Sequence, residues 1–164
     1  MSLVCESTCP DTGPDGPTSV TVVAFTVVAS SGVAAARAEI RDAELVFAGY
    51  GIQAPEFGWD DFKGADLRGK VLVLLNDDPD WDPGLFGGPR RLYYGRWTYK
   101  FESAARQGAV GAIIVHTPKS AGYPWQTVRT SWTGENSRLA EAPQGRGLAV
   151  EAWITDAAAR RVAV

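Results

Sequence analysis

The sequence is poor in the residues that most often carry chemistry. Among 164 residues there is one histidine, His116, and there are two cysteines, Cys5 and Cys9. A zinc site needs several converging His, Cys or carboxylate ligands, and a two-metal site needs more. No GxSxG nucleophile elbow occurs, and both cysteines lie in the leading stretch "VCESTCPDTGPDGP", so no triad can be assembled around His116. His116 falls at the end of an apolar run, where α/β folds often place functional groups, but it reads as a hydrogen-bonded structural residue. No second Cys or His pair follows the cysteines, which excludes half a zinc finger. Free thiols in an unstructured leader and a local disulfide both stay open.

A strong charge of either sign is also lacking. The net charge of −3 gives no global attraction to nucleic acid. No stretch reaches the ~20 apolar residues needed to span a bilayer. The run "SVTVVAFTVVASSGVAAARA" ends in small residues as a signal peptide does. Its leader, however, carries Glu6, Asp11 and Asp15 and no Lys or Arg, the wrong charge for export. Its Val, Thr and Phe content suits a strand. Neither nucleic-acid binding nor membrane insertion is expected.

Glycine (18), proline (10) and tryptophan (6) are plentiful, a mix that suits many turns and aromatic-pinned loops. Residues 1–17 read as a flexible tail, beginning with an "MSL" that looks like an expression leader. One or two strands are expected over 18–30, then strands at 43–51, 70–77, 109–116 and 147–155. The runs "KVLVLLND" and "AVGAIIVH" are continuously apolar, as in strands buried on both faces. Between them the spacing predicts a helix over 94–107, with Trp97, Phe101, Ala104 and Ala105 on one stripe and Gly108 just past its end. Trp97 and Phe101 are expected in the core. Strand, helix and strand imply a parallel pair. Residues 155–164 read as the start of a second helix, capped by Thr155 and cut short, as in a piece of a longer polypeptide. The expected fold class is mixed α/β, a parallel strand–helix–strand unit joined to other, antiparallel strands.

Three stretches invite a chemical reading. Gly49-Tyr50-Gly51-Ile52-Gln53-Ala54 spells GxGxxA, but a dinucleotide turn needs a helix opening at its second glycine. Pro55 and the aperiodic "APEFGWDDFKGADLRG" supply none, so the glycines read as a tight turn. The loop "NDDPDWDPG" gathers Asp77, Asp78, Asp80 and Asp82. Counted from Asp78, the positions that a calcium loop gives to Gly and Glu hold Pro83 and Pro89, which favours a solvated turn. In "GGPRRLYYGRWTYKFE", basic and aromatic residues interleave, a pattern that suits either loop pinning or recognition of a peptide or protein. Arg90, Arg91, Tyr93, Tyr94 and Arg96 are the candidate contact residues. Burial cannot satisfy both Arg90 and Arg91, and alanine at either is expected to leave stability within about 0.5 kcal/mol.

Taken in order, "ELVFAGYGIQAPEFGWDDFKGADLRGKVLVLLNDDP", "YGRWTYKFESAARQGAVGAIIVH" and "AGYPW" resemble the protease-associated (PA) domain found in bacterial di-zinc exopeptidases of the aminopeptidase and glutamate-carboxypeptidase-like superfamily. The resemblance covers about residues 43–160, and residues 4–42 match poorly. It implies a PA domain over 18–160, folded as a small open β-barrel or sandwich with flanking helices. It further implies no catalytic residue, metal or cofactor in this chain, and a role as lid, substrate-selectivity element or protein-interaction module. The parent enzyme would bind two zinc ions in a neighbouring catalytic domain, and that domain and the peptide substrate would be this chain's partners. A secreted or periplasmic location follows from the same likeness. Loop 81–94 would overhang the zinc cleft, with an arginine on the substrate carboxylate. The alternative is a free-standing peptide- or glycan-binding module using the Arg/aromatic loop, and a small hydrolase centred on His116 has least support.

Overall fold

A computed structural model describes residues 3–6, 26–33, 37–132 and 147–162. The elements run β1 (Leu3–Glu6), β2 (Val27–Ser30), β3 (Arg37–Ile40), β4 (Leu45–Phe47), β5 (Gln53–Ala54), β6 (Trp59–Asp60), β7 (Val71–Leu75), α1 (Trp97–Arg106), β8 (Gly111–His116), α2 (Pro118–Ala121), α3 (Trp125–Trp132), β9 (Val150–Thr155) and α4 (Asp156–Val162).

The main sheet has the order β2-β9-β8-β7-β4. Strands β4, β7, β8 and β9 are parallel, and β2 pairs antiparallel with β9 at one edge. Every residue of β8 is buried, as expected of a central parallel strand covered on both faces. Side chains alternate between the two faces with the pleat. On one face Leu72, Leu74, Ala112, Ile114 and Trp153 meet Phe101 and Ala104 of α1 and Val128 of α3. On the other, Val71, Ile113, Val115, Val150 and Ile154 meet Ile40 of β3 and Ala158 of α4. The result is a mixed α/β fold, an open sheet flanked by helices rather than a closed barrel. Two small antiparallel pairs, β1–β3 and β5–β6, complete it.

Several expectations hold. Strands appear within 43–51, 70–77, 109–116 and 147–155, and the β7–α1–β8 unit is parallel. Thr155 caps α4, its hydroxyl accepting the Ala158 N–H at 3.3 Å. Others need correction. Leu3–Glu6, placed in an unpaired tail by composition, forms a strand because its backbone pairs with Arg37–Ile40. The rest of that tail, Cys9 and residues 18–25 lie outside the described residues. The 94–107 helix starts later: Tyr93–Gly95 is a 3-10 turn, and Arg96 is extended at φ −78°, ψ 142° before α1 begins.

Trp97 is the further correction. It stands in the first turn of α1 and is 41% exposed, against 4% for Phe101. Its ring leans on Phe101 and Trp132, with centroids 6.3 and 5.5 Å away, at the margin of the sheet. The buried face of α1 consists of Tyr99, Lys100, Phe101, Ser103 and Ala104. We therefore expect Phe101→Ala to cost about 3–5 kcal/mol in denaturant unfolding and Trp97→Ala no more than about 1 kcal/mol. Equal losses would return Trp97 to the core.

Candidate functional site

The carboxyl ends of β4 and β7 meet at the GxGxxA turn. Gly49 and Gly51 have φ values of 55° and 61°, the left-handed region that glycine enters without strain. The Gly51 N–H closes the turn on the Ala48 carbonyl, and the Leu75 N–H reaches the Gly49 carbonyl, both at 2.8 Å. A side chain at Gly51 would lie 2.8 Å from a Leu74 methyl, so the turn can rest on β7 only as glycine. The Ile52 N–H is taken by the Asp61 carboxylate at 2.9 Å. With these amides engaged and no α-helix opening here, the turn builds no phosphate cradle.

Helix α1 fastens this turn from beneath. Lys100, fully buried, donates its ammonium to the Tyr50 carbonyl at 2.6 Å, and Ser103 donates its hydroxyl to the Gly51 carbonyl at 2.7 Å. Burial pushes the Lys100 ammonium down to about 7, against the opposing pull of Asp61, Asp78 and Asp77. Asp78 is buried as well and accepts the Leu92 N–H at 2.9 Å. Burial raises its carboxyl above the ordinary range.

Past β7, Asp77 takes a left-handed backbone at φ 82°, uncommon for a residue with a side chain. That turn points its carboxylate at Arg91, which grips it through two N–H groups at 2.8 and 3.1 Å. The same guanidinium donates to the Ser120 carbonyl, and the Asn76 amide reaches that oxygen at 3.1 Å. Gly95 permits the packing, since a Cβ there would lie 2.6 Å from Arg91 Cγ and 3.0 Å from the Asp78 nitrogen. The other acids disperse: Asp80 pairs with Lys119 at 3.1 Å, and Asp82 accepts the Gly84 N–H at 2.8 Å. Each carboxylate of the loop thus has its own partner, and among the described residues no three His, Cys or acidic groups are placed to share a metal. A cleft of about 210 Å³ opens here, lined in part by Tyr50, Asn76, Asp78, Thr117 and Ser120.

Of the candidate contact residues, Arg90 and Arg96 are exposed with no side-chain partner among the described residues. Tyr93, 55% exposed, donates its hydroxyl to Glu102 at 2.9 Å. Tyr94 donates to Glu56, and that carboxylate pushes the phenol up to about 12. Arg91 is instead engaged in the ion pair with Asp77, which makes it a poorer candidate than Arg90 for a change to alanine without effect.

His116 is turned into the protein. It is 3% exposed, its Nε2–H donates to the Tyr123 carbonyl at 3.0 Å, and the rings of Trp125 and Trp153 lie 5.4 and 6.2 Å away. Burial holds it below its usual range. It serves as a structural hydrogen-bond donor.

One feature escaped the sequence reading. Trp81 and Phe86 of loop 81–94 stack on the β5–β6 hairpin, Trp81 on Trp59 at 5.9 Å and Phe86 on Trp59 and Phe57 at 5.5 and 4.8 Å. Tyr94 joins through Phe86 at 5.8 Å, and Tyr50 through Trp81 at 5.9 Å. Trp81 and Phe57 keep 62% and 40% of their surface in solvent. These aromatics come from segments with no shared period, so only the folded contacts reveal the cluster. In addition, no described helix is long and apolar enough to cross a membrane.

No family model and no curated protein matches the chain. Among solved structures it is similar to an aminopeptidase from Aneurinibacillus sp. strain AM-1, at 21% identity and a TM-score of 0.40, over 74% of this chain and 20% of that one. The chain therefore spans a fifth of that protein's length. An overlap so partial carries no argument about chemistry.

Two outcomes follow from the geometry. Arg91→Ala removes the charged partner of the Asp77 carboxylate and leaves the Ser120 carbonyl to Asn76 alone, so it should cost about 1–3 kcal/mol, while Arg90→Ala should stay within about 0.5 kcal/mol. Urea unfolding of the two variants checks this, and equal small losses would show the ion pair to be idle. The second outcome concerns Lys100. Its folded value of about 7 lies below the ordinary 10.5, so the unfolded chain holds the proton more tightly across that window. Burying the charge thus weakens the fold fully below pH 7, and the penalty fades as pH climbs toward 10.5. The stability of the protein relative to its Lys100→Met variant should rise from pH 6.5 to 9.5. A flat difference would mean that Lys100 stays charged throughout.

Proposed function

We propose that this chain is a non-catalytic protease-associated domain of a zinc-dependent exopeptidase, in which it borders the substrate cleft as a selectivity or lid element. The observation that carries the reading is the ordered run of motifs over residues 43–160 that resembles this domain. The geometry supports it in a second way. The rim at the strand ends presents aromatic rings and the solvent-facing Arg90. The residues here do not fit a zinc pair, because His116 points into the core onto a carbonyl and the loop carboxylates are separately engaged. In the proposed parent, zinc would be held by the neighbouring catalytic domain, and the location would be secreted or periplasmic.

Arg90 is the arginine suited to a peptide carboxylate, since its guanidinium is unengaged among the described residues whereas that of Arg91 is occupied. Tyr93, Tyr94 and Arg96, which follow it closely in the sequence, are the further candidate contacts. The second reading, a free-standing peptide- or glycan-binding module, is favoured by the exposed Trp81 and Phe57.

The test is peptide hydrolysis by the full-length polypeptide that carries this chain. Arg90→Ala should raise KM several-fold, or shift side-chain preference, across a peptide panel while kcat and unfolding stay close to the parent values. Unchanged kinetics on every peptide would reduce loop 81–94 to scaffolding. A full-length product without peptidase activity would favour the free-standing module.

A further inference from the structure

We propose that loop 81–94 is a lid over the buried amine of Lys100, and that a proton on that amine biases the lid toward opening. This goes beyond the preceding reading, because it concerns this chain alone and needs no attached catalytic domain.

The surroundings of Lys100 suit a neutral amine better than an ammonium. The side chain has no exposed surface, and among the described residues its one hydrogen bond is to the Tyr50 carbonyl at 2.6 Å. An ammonium carries three N–H donors and no acceptor. The nitrogen's further contact is the Tyr50 ring, 5.5 Å from its centroid. No described carboxylate forms an ion pair with it, although Asp61, Asp78 and Asp77 attract the charge from farther off and Arg91 opposes it. Two of the three donors therefore lack an oxygen acceptor while the charge is present, and water is the acceptor that would serve them.

The two ends of the loop are tied to groups around that amine. Tyr50 covers the amine, and the Trp81 ring packs on Tyr50 with centroids 5.9 Å apart. At the far end Leu92 gives its N–H to Asp78 at 2.9 Å and Arg91 grips Asp77 at 2.8 Å, and both acids act on the Lys100 charge. Within residues 81–94 only Gly88 is buried. A segment with so little buried between its ties is a natural unit of local opening. Lifting it lets water reach the amine. Under the closed loop, burial holds the amine down to about 7, and an amine in water returns toward its ordinary 10.5. The open form thus binds the proton more tightly between those two values. Opening is favoured in full below pH 7 and falls by up to about ten-fold per unit as pH rises from there.

The test is amide hydrogen exchange of the 164-residue chain, followed by NMR between pH 7 and 9 with each rate divided by its intrinsic value. The Leu92 amide should exchange through an opening that becomes about ten-fold rarer, or more, over that span. Amides of β8 report global unfolding and should stay better protected than Leu92 throughout. In Lys100→Met the Leu92 opening should no longer depend on pH. The Lys100 Cε resonance of the unaltered chain should titrate near pH 7, a reading that stands even where Lys100→Met does not fold. A Leu92 opening that ignores pH, that equals the opening of β8, or that keeps its pH dependence in Lys100→Met would overturn the proposal. So would a Lys100 amine that titrates near its ordinary value.

Discussion

The arrangement of this protein depends on a buried cation under a backbone turn. Lys100 and Ser103 rise one turn apart on α1 and hold two successive carbonyls, those of Tyr50 and Gly51. The turn is thereby fixed against β7, and the hairpin that follows it is fixed in turn. A lysine without solvent contact is costly, and Asp61, Asp78 and Asp77 around it offset part of that cost. An apolar residue could fill the same space, but no hydrocarbon satisfies the Tyr50 carbonyl as the Lys100 amine does.

A second layer follows from the first. Once β7 ends at the fixed turn, Asp77 adopts its left-handed backbone and offers a carboxylate to Arg91, and Arg91 reaches on to α2. Loop 81–94 is thus tied at its far end and carries its aromatic rings onto the hairpin. A long, glycine-rich loop becomes a shaped surface by two local constraints, an ion pair and a missing side chain at Gly95. The acids that look like a calcium loop in the sequence are dispersed by the same construction.

The sheet and its central unit were legible because buried parallel strands leave continuous apolar runs, as in "VLVLL" and "GAIIVH". The cap at Thr155 and the inward role of His116 were legible too, from local chemistry. The site was less so. Trp97 shares the stripe of Phe101, yet position in the first turn leaves it at the sheet margin, which spacing alone does not encode. Helix α3 spans only eight residues, and its Trp125, Val128 and Trp132 make a stripe too short to stand out from the surrounding turns. Arg90 and Arg91 are adjacent and chemically identical. One is exposed and the other clamped because Asp77 turns toward Arg91, a fact of tertiary structure.

The antiparallel edge of the sheet bears on how the chain is made. Val27–Ser30 hydrogen-bonds to Glu151–Ile154, the strand nearly farthest from it in sequence. During synthesis β2 leaves the ribosome long before β9 exists, and it must wait while β4, β7 and β8 emerge and pair beside one another. Its apolar run spends that interval uncovered, a natural target for a holding chaperone. Closure of the long β2–β9 loop falls late in folding, since its entropy is recovered only once β9 has docked on β8. The edge of the sheet thus joins two strands that lie far apart in the chain and end as neighbours.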